Sequence, residues 1–465
     1  MRTTFAWISL GVHLATLTSS AYAIALSNKQ GTVIEVDILQ VETNRIEIRM
    51  ANGQEIWFDR ALLADESQAL IDAQADAEKD LFAEINDLLD IELLNDNHLW
   101  DDAPAAVADR LEWPKESKTE TQSSFRRYPK ANYRILDCRP YSAALYGDEG
   151  KAQRLSIVFA NKGDFKYSDV PTDREIQEME RAIEDDVERI QTKLTKLLGE
   201  PNKQQFGAGR GIKQSIQRWD WKDHAFLLAS QDGEYANLKI MSTAAANNKG
   251  RGEKLSDAKL RALTTENLIQ RPNGDIVVGN IPMVNQGPKG YCVPATFERY
   301  LSYMQIPADM YVLAMAGQTQ VGGGTSLSAI IGSIESFISS QNRSMKQQGA
   351  AIDVRTVQKH IDKGLPVIWT MFSSKEYNNY SNVHTLERLD VTDWKSWEKA
   401  VKSKARDTEL QKDISTAHAC LIIGYNKDTN EIAVSDSWGP AYSERWVPAE
   451  QAEQVSQGSI YVIGF

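Results

Sequence analysis

Four residues in the C-terminal part of the chain have the types and spacing for acyl chemistry on a thiol: Gln286, Cys292, His418 and Asp436. Cys292 follows a Gly- and Pro-rich stretch and precedes Phe297, Tyr300, Leu301 and Met304 at helical spacing, with Pro294 suited to a first turn. The pattern predicts Cys292 at a helix N-terminus. There unpaired amides and the helix dipole favour an anion, which stabilises a thiolate. A lone cysteine is as often an inert packed thiol. Gln286, six residues earlier, tips that balance, because its amide and the Cys292 N–H together would supply two donors to the oxygen of a tetrahedral intermediate.

The segment from Ala417 to Tyr425 reads as a strand headed by His418, turning at Asn426 to Asn430 and returning through Glu431 to Gly439. In a hairpin centred near Lys427 and Asp428, His418 and Asp436 come close to opposite each other. A carboxylate there holds one ring nitrogen and leaves the other for a thiol. Histidine on a half-buried strand is otherwise usually structural. Cys420, with no helix start near it, is expected in the core.

Three blocks carry a family resemblance: the Gln-x5-Cys helix start, His418-Ala-x4-Gly-Tyr425, and Asp436-Ser-Trp-Gly439. In type and order they resemble the signature blocks of papain-like cysteine peptidases. The resemblance implies Gln286 in an oxyanion hole, Cys292 as nucleophile, His418 as base, Asp436 orienting the imidazole, and Trp438 shielding that hydrogen bond from water. It implies an α+β class, with a C-terminal papain-like fold in which the nucleophile's helix packs on an antiparallel sheet or barrel. Asp436 replaces the Asn of plant-type papains, and their disulfide cysteines are missing. In this the sequence is closer to the double-glycine leader peptidases that process bacteriocins, although those are normally fused to a transporter that this sequence lacks. The family lines its non-primed subsites with a segment like Gly322-Gly323-Gly324, where glycines let a substrate backbone approach closely. The implied substrate is a peptide or protein, and no metal or cofactor is implied. Two rival readings are a transglutaminase-type acyl transferase, also built on Cys, His and Asp, and a non-catalytic peptide-binding protein that keeps the groove.

Other elements must position these residues, and 465 residues allow two or three domains. A net charge of -12 argues against a nucleic-acid partner. Residues 1–23 read as a signal peptide, with Arg2, an apolar run and an Ala21-Tyr22-Ala23 cleavage site, so the protein is expected outside the cytoplasm, periplasmic or extracellular, with no membrane span after cleavage. Three cysteines are too few for a disulfide scaffold. Residues 24–66 carry three β-rich runs and resemble small SH3-like homology modules. Residues 67–130 read as an acidic helical segment, with Leu81, Phe82, Ile85, Leu88 and Leu89 on one stripe, then a linker marked by Pro104, Pro114 and Pro129. An α+β domain is expected over 131–242, with a long helix starting near Asp173 between strands, His224 in an exposed loop, no catalytic constellation, and a candidate role in intramolecular regulation. A second linker over 243–267 and the peptidase domain over 268–465 complete the expectation.

Overall fold

The computed structural model describes residues 24–165, 172–207, 209–231, 233–252, 254–288, 290–320, 324–348 and 351–465. The expected signal peptide over 1–23 and two of the expected subsite residues, Gly322 and Gly323, lie outside them.

Ile24–Ser27, Val33–Val41, Arg45–Met50 and Glu55–Asp59 form a four-stranded antiparallel sheet in chain order. Its alternating residues Ile46 and Ile48 turn inward with Leu26 and Val36, as period two requires. The acidic segment is one helix, Asp65–Leu89. Ile71, near its start, is buried in that small core. Phe82, Ile85 and Leu89, at helical spacing, are buried in the next one.

The stretch expected as a linker before residue 130 is instead structured. It holds the helix Pro104–Leu111 and the strands Lys115–Lys118 and Gln122–Arg127. Its prolines do not interrupt these elements: Pro104 opens the helix, where it costs no hydrogen bond, and Pro114 precedes the strand. The two strands begin an eight-stranded antiparallel sheet, continued in space by Ser142–Asp148, Lys151–Asn161, Tyr235–Ser242, His224–Gln231, Gln214–Trp221 and Asn202–Phe206.

The long helix Asp173–Leu198, started by a Thr172/Glu175 capping box, packs Met179, Ile183, Ile190 and Leu194 against Leu155, Ile157, Leu228, Leu238 and Ile240 of one sheet face. The residues alternating with these, Tyr146, Arg154, Ser156, Asn237 and Lys239, form a polar opposite face. That face is covered by the C-terminal unit. Tyr146 donates to Glu298 at 3.0 Å, Arg154 to the Ala308 carbonyl at 2.7 Å, and Ser156 to Asp309 at 3.0 Å. His224 is not in an exposed loop. It begins a strand, is fully buried, lies among Trp221 and Trp100, and burial pushes its pKa down to about 4.

The C-terminal sheet is antiparallel and runs, in space, Leu268–Gln270, Asp275–Val278, Ala417–Asn426, Val367–Phe372, Ser456–Gly464, Ser344–Gln348. Glu431–Ser435 and Arg445–Pro448 branch from Ala417–Asn426 and curl the sheet. Helix Cys292–Tyr303 lies on it, with Phe297, Tyr300 and Leu301 in one core with Trp369, Leu421 and Ile422.

The expected linker over 243–267 also carries structure, the helices Thr243–Asn247 and Asp257–Glu266. Leu260 is fully buried in the same core, and Asp257 pairs with Arg343 at 2.6 Å. Leu260→Ala should therefore cost about 2–5 kcal/mol, the range for emptying a buried leucine site, read from the shift of the urea midpoint at constant slope. A change near zero would mean that this helix does not pack as a part of the C-terminal core.

Candidate active site

Cys292 is the first residue of its helix, after the N-cap Tyr291, and is partly exposed. The helix is tied to the strands that carry the other candidate residues. Thr296 donates to the Ala419 carbonyl at 3.1 Å, next to His418. Arg299, one turn further on and buried, donates to the Pro282 carbonyl at 3.0 Å and the Ser435 carbonyl at 3.1 Å. One guanidinium thus links the helix, the segment leading to Gln286 and the strand leading to Asp436.

His418 is the second residue of Ala417–Asn426, and its ring Nε2 lies 2.9 Å from Asp436 Oδ1. The hairpin differs in detail from the sequence expectation. Its register shifts between Ile422 and Gly424, and the return strand ends at Ser435. Asp436 thus leaves the ladder, its amide bonding the Tyr442 carbonyl at 3.0 Å, and reaches His418 diagonally. The Trp438 ring lies 4.7 Å from the imidazole between centroids. The other ring nitrogen is not taken by Asp436, and the Cys292 thiol lies near enough to the imidazole for each to shift the other's pKa.

Burial alone would raise the thiol's pKa. The hydrogen bond and charge of His418, with the backbone at Ala419 and Val293, outweigh it and bring Cys292 below the usual thiol range. Burial would likewise lower His418, but Asp436 and Cys292 raise it to about 9. Both shifts favour thiolate beside imidazolium over the neutral pair. Neither other cysteine shares this setting: Cys138, beside Asp186, is pushed up to about 12, and Cys420 is buried in the core as expected and raised well above its ordinary value.

Sequence reasoning missed Arg445. It donates to Asp436 Oδ2 from Nε at 3.1 Å and from Nη2 at 2.6 Å, while its Nη1 donates to Asn378, Ser381 and Asn382 at 2.9–3.1 Å. Those three partners lie on the helix Lys375–Leu389. Burial would raise Asp436, yet the Arg445 charge and the His418 bond hold it below the usual carboxylate range. A second buried pair, His384 with Glu431 at 2.6 Å, is braced by Arg388 and Asp275. None of the three cysteines is among the partners of that pair, so an imidazole with a carboxylate does not by itself make a site.

Gln286 is buried, and its backbone N–H bonds the Ser437 carbonyl at 2.8 Å, which closes the Gln286 loop onto the residue after Asp436. The Gly324 amide lies 3.3 Å from the Gly290 carbonyl, two residues before Cys292. Of the expected glycine segment, Gly324 is thus brought beside the approach to the thiol. Among the described residues no group of three or more His, Cys, Asp or Glu side chains could hold a metal ion. No helix among them is long and apolar enough to cross a membrane.

Residues 278–460 match the model of the Peptidase_C39 like family. No curated protein matches the chain. The matched span contains Gln286, Cys292, His418, Asp436 and Arg445, and it relates the C-terminal unit to papain-like cysteine peptidases, whose substrates are proteins and peptides.

Proposed function

We propose that this protein is an exported thiol peptidase in which Cys292, His418 and Asp436 act as a triad and Gln286, with the Cys292 N–H, holds the oxyanion. The observation that carries the reading is the imidazole that the Asp436 carboxylate holds at 2.9 Å, set beside the helix-start Cys292 so that the thiol's pKa is lowered and the ring's raised. The thiolate attacks the scissile carbonyl carbon, and the carbonyl electrons move to oxygen under the two donors. Collapse breaks the C–N bond as the His418 imidazolium gives its proton to the leaving amine. Water then attacks the thioester, His418 takes its proton, and the acid product leaves with Cys292 a thiolate again. Trp438 keeps bulk water from the His418–Asp436 bond, and Gly324 offers backbone to an extended peptide. Residues 1–23 would direct export, and the N-terminal sheet would serve as an SH3-like accessory module.

Labelling of the full-length protein by an epoxysuccinyl thiol probe tests this directly. Peptide mapping should find the adduct on Cys292 and on neither Cys138 nor Cys420, and peptide substrates should give carboxylic acid products even with excess primary amine. Labelling at another cysteine refutes the site. Amide products formed with the amine would favour the acyl-transferase reading, and a protein that binds peptides without labelling would favour a non-catalytic groove.

A further inference from the structure

The described residues between Ile281 and Tyr291 form neither helix nor strand, yet the segment carries Gln286 and leads into Cys292. Besides the Arg299 bond to Pro282 and the Gln286 bond to Ser437, it is bonded by the preceding domain. Glu116, buried, accepts the Asn285 backbone N–H at 2.6 Å, and the same carboxylate accepts from Arg126 Nε at 2.6 Å and Ser124 Oγ at 3.0 Å. Tyr128 donates its hydroxyl to the Asn285 carbonyl at 2.6 Å. Ser117 accepts the Met283 N–H at 2.9 Å. Both backbone groups of the residue before Gln286 are therefore bonded to another domain. At the other end of the segment, the Tyr291 hydroxyl donates to Asn161 at 2.8 Å.

Two glycines record how close the approach is. Gly287 has φ +72°, and a Cβ there would sit 2.6 Å from the Tyr128 ring. A Cβ on Gly163 would sit 2.1 Å from the Tyr291 hydroxyl. These contacts fall on the backbone of the Gln286 loop and on the residue before the thiol, while Cys292 itself stays partly exposed. The neighbouring domain grips the site without covering it.

Oxyanion donors act by being fixed before the charge develops, and a misplacement of about 1 Å can cost roughly a hundredfold in rate. A Gly- and Pro-rich loop cannot supply that order from its own contacts. Buried, charge-assisted bonds can, being shorter and stronger than neutral ones. We infer that Glu116, Tyr128 and Asn161 are positioning residues for the C-terminal site, so that the domain containing them is a template for the Gln286 loop and the Cys292 helix start. The inference rests on the thiol-peptidase reading for its kinetic consequence, but the clamp itself can be measured without a substrate.

The test uses the full chain with Tyr128→Phe, which removes one hydroxyl, and Glu116→Gln, which removes the charge. Amide hydrogen exchange over residues 281–291 should speed up in both variants, with the sheet around His418 unchanged. Peptide hydrolysis should fall about 10- to 100-fold, mainly in kcat. Alkylation of Cys292 by iodoacetamide should keep its rate and pH profile, because displacement of iodide by a thiolate forms no oxyanion. Unchanged exchange in Tyr128→Phe overturns the clamp whatever happens to activity. Alkylation falling in step with hydrolysis overturns the positioning role, since it signals general loss of the site. A rise in hydrolysis does so too, since it would make the domain a restraint. If wild type is not alkylated at Cys292 ahead of the other cysteines, the peptidase reading fails, and exchange alone then decides the clamp.

Discussion

Cys292→Ala is expected to reduce peptide hydrolysis roughly 10⁶-fold, the scale on which a triad collapses when its nucleophile is removed. In the proposed mechanism His418 and Asp436 act only through the sulfur, so no partial activity should persist beyond what bound water would reach under the proposed oxyanion donors. Cys138→Ala and Cys420→Ala should leave hydrolysis in place. Cys138 lies in the core of the middle domain, and Cys420, two residues along the strand from His418, is buried in the C-terminal core away from any helix start. Burial raises both thiols, so neither supplies thiolate at neutral pH. Steady-state rates of the three purified variants decide the matter. Activity within tenfold of wild type in Cys292→Ala would show that the nucleophile lies elsewhere.

Asp436→Asn should alter both pH dependence and stability, because Asp436 binds His418 with one oxygen and Arg445 with the other. The thiolate–imidazolium pair persists up to the His418 pKa, raised to about 9. Removing the carboxylate's charge leaves Arg445 as the nearest uncompensated cation, so the basic limb of kcat/KM should move down by on the order of one to two units. Arg445→Met should move it the opposite way, since the whole Asp436 charge then faces the imidazole.

The stability signs follow from the same shifts. His418 has a raised folded pKa, so its contribution is complete below about 6.5 and is lost as pH rises through about 9. Asp436 has a lowered one, so its contribution is present above about 3.9 and is lost as pH falls through the folded value. Each single variant strands a buried charge and should cost about 3–5 kcal/mol. The Asp436→Asn/Arg445→Met double variant should lose clearly less than the sum, because no buried ion remains unpaired. Urea denaturation of the four proteins measures this coupling. Superimposable pH profiles for wild type and Asp436→Asn would remove Asp436 from the triad, and strict additivity of the two stability losses would remove Arg445 as its partner.

Several elements were misjudged from sequence for one physical reason. The region before residue 130 is polar and proline-marked, which reads as solvated linker. Its polar residues instead meet polar partners in buried positions, as Glu116 does with Arg126 at 2.6 Å within the sheet and with the Asn285 N–H at 2.6 Å in the C-terminal unit. His224 next to a turn reads as exposed, yet Trp221 and Trp100 enclose it. Short polar segments hold no record of what lies against them.

The sequence by itself determined the chemistry of the candidate site: a cysteine opening an amphipathic helix, a glutamine six residues before it, a histidine heading an apolar strand, and an aspartate on its return. Each feature is local, and the period of its helix or strand places it at a helix start or on one strand face. The tertiary structure alone decided how they are held. Arg445 reaches Asp436 only because the helix Lys375–Leu389 provides Asn378, Ser381 and Asn382 for its third nitrogen. Glu116 meets Asn285 across 169 residues of chain. A buried charge is stabilised by whichever groups the fold brings within hydrogen-bond reach, and contacts made over such separations leave no periodicity in the sequence from which to read them.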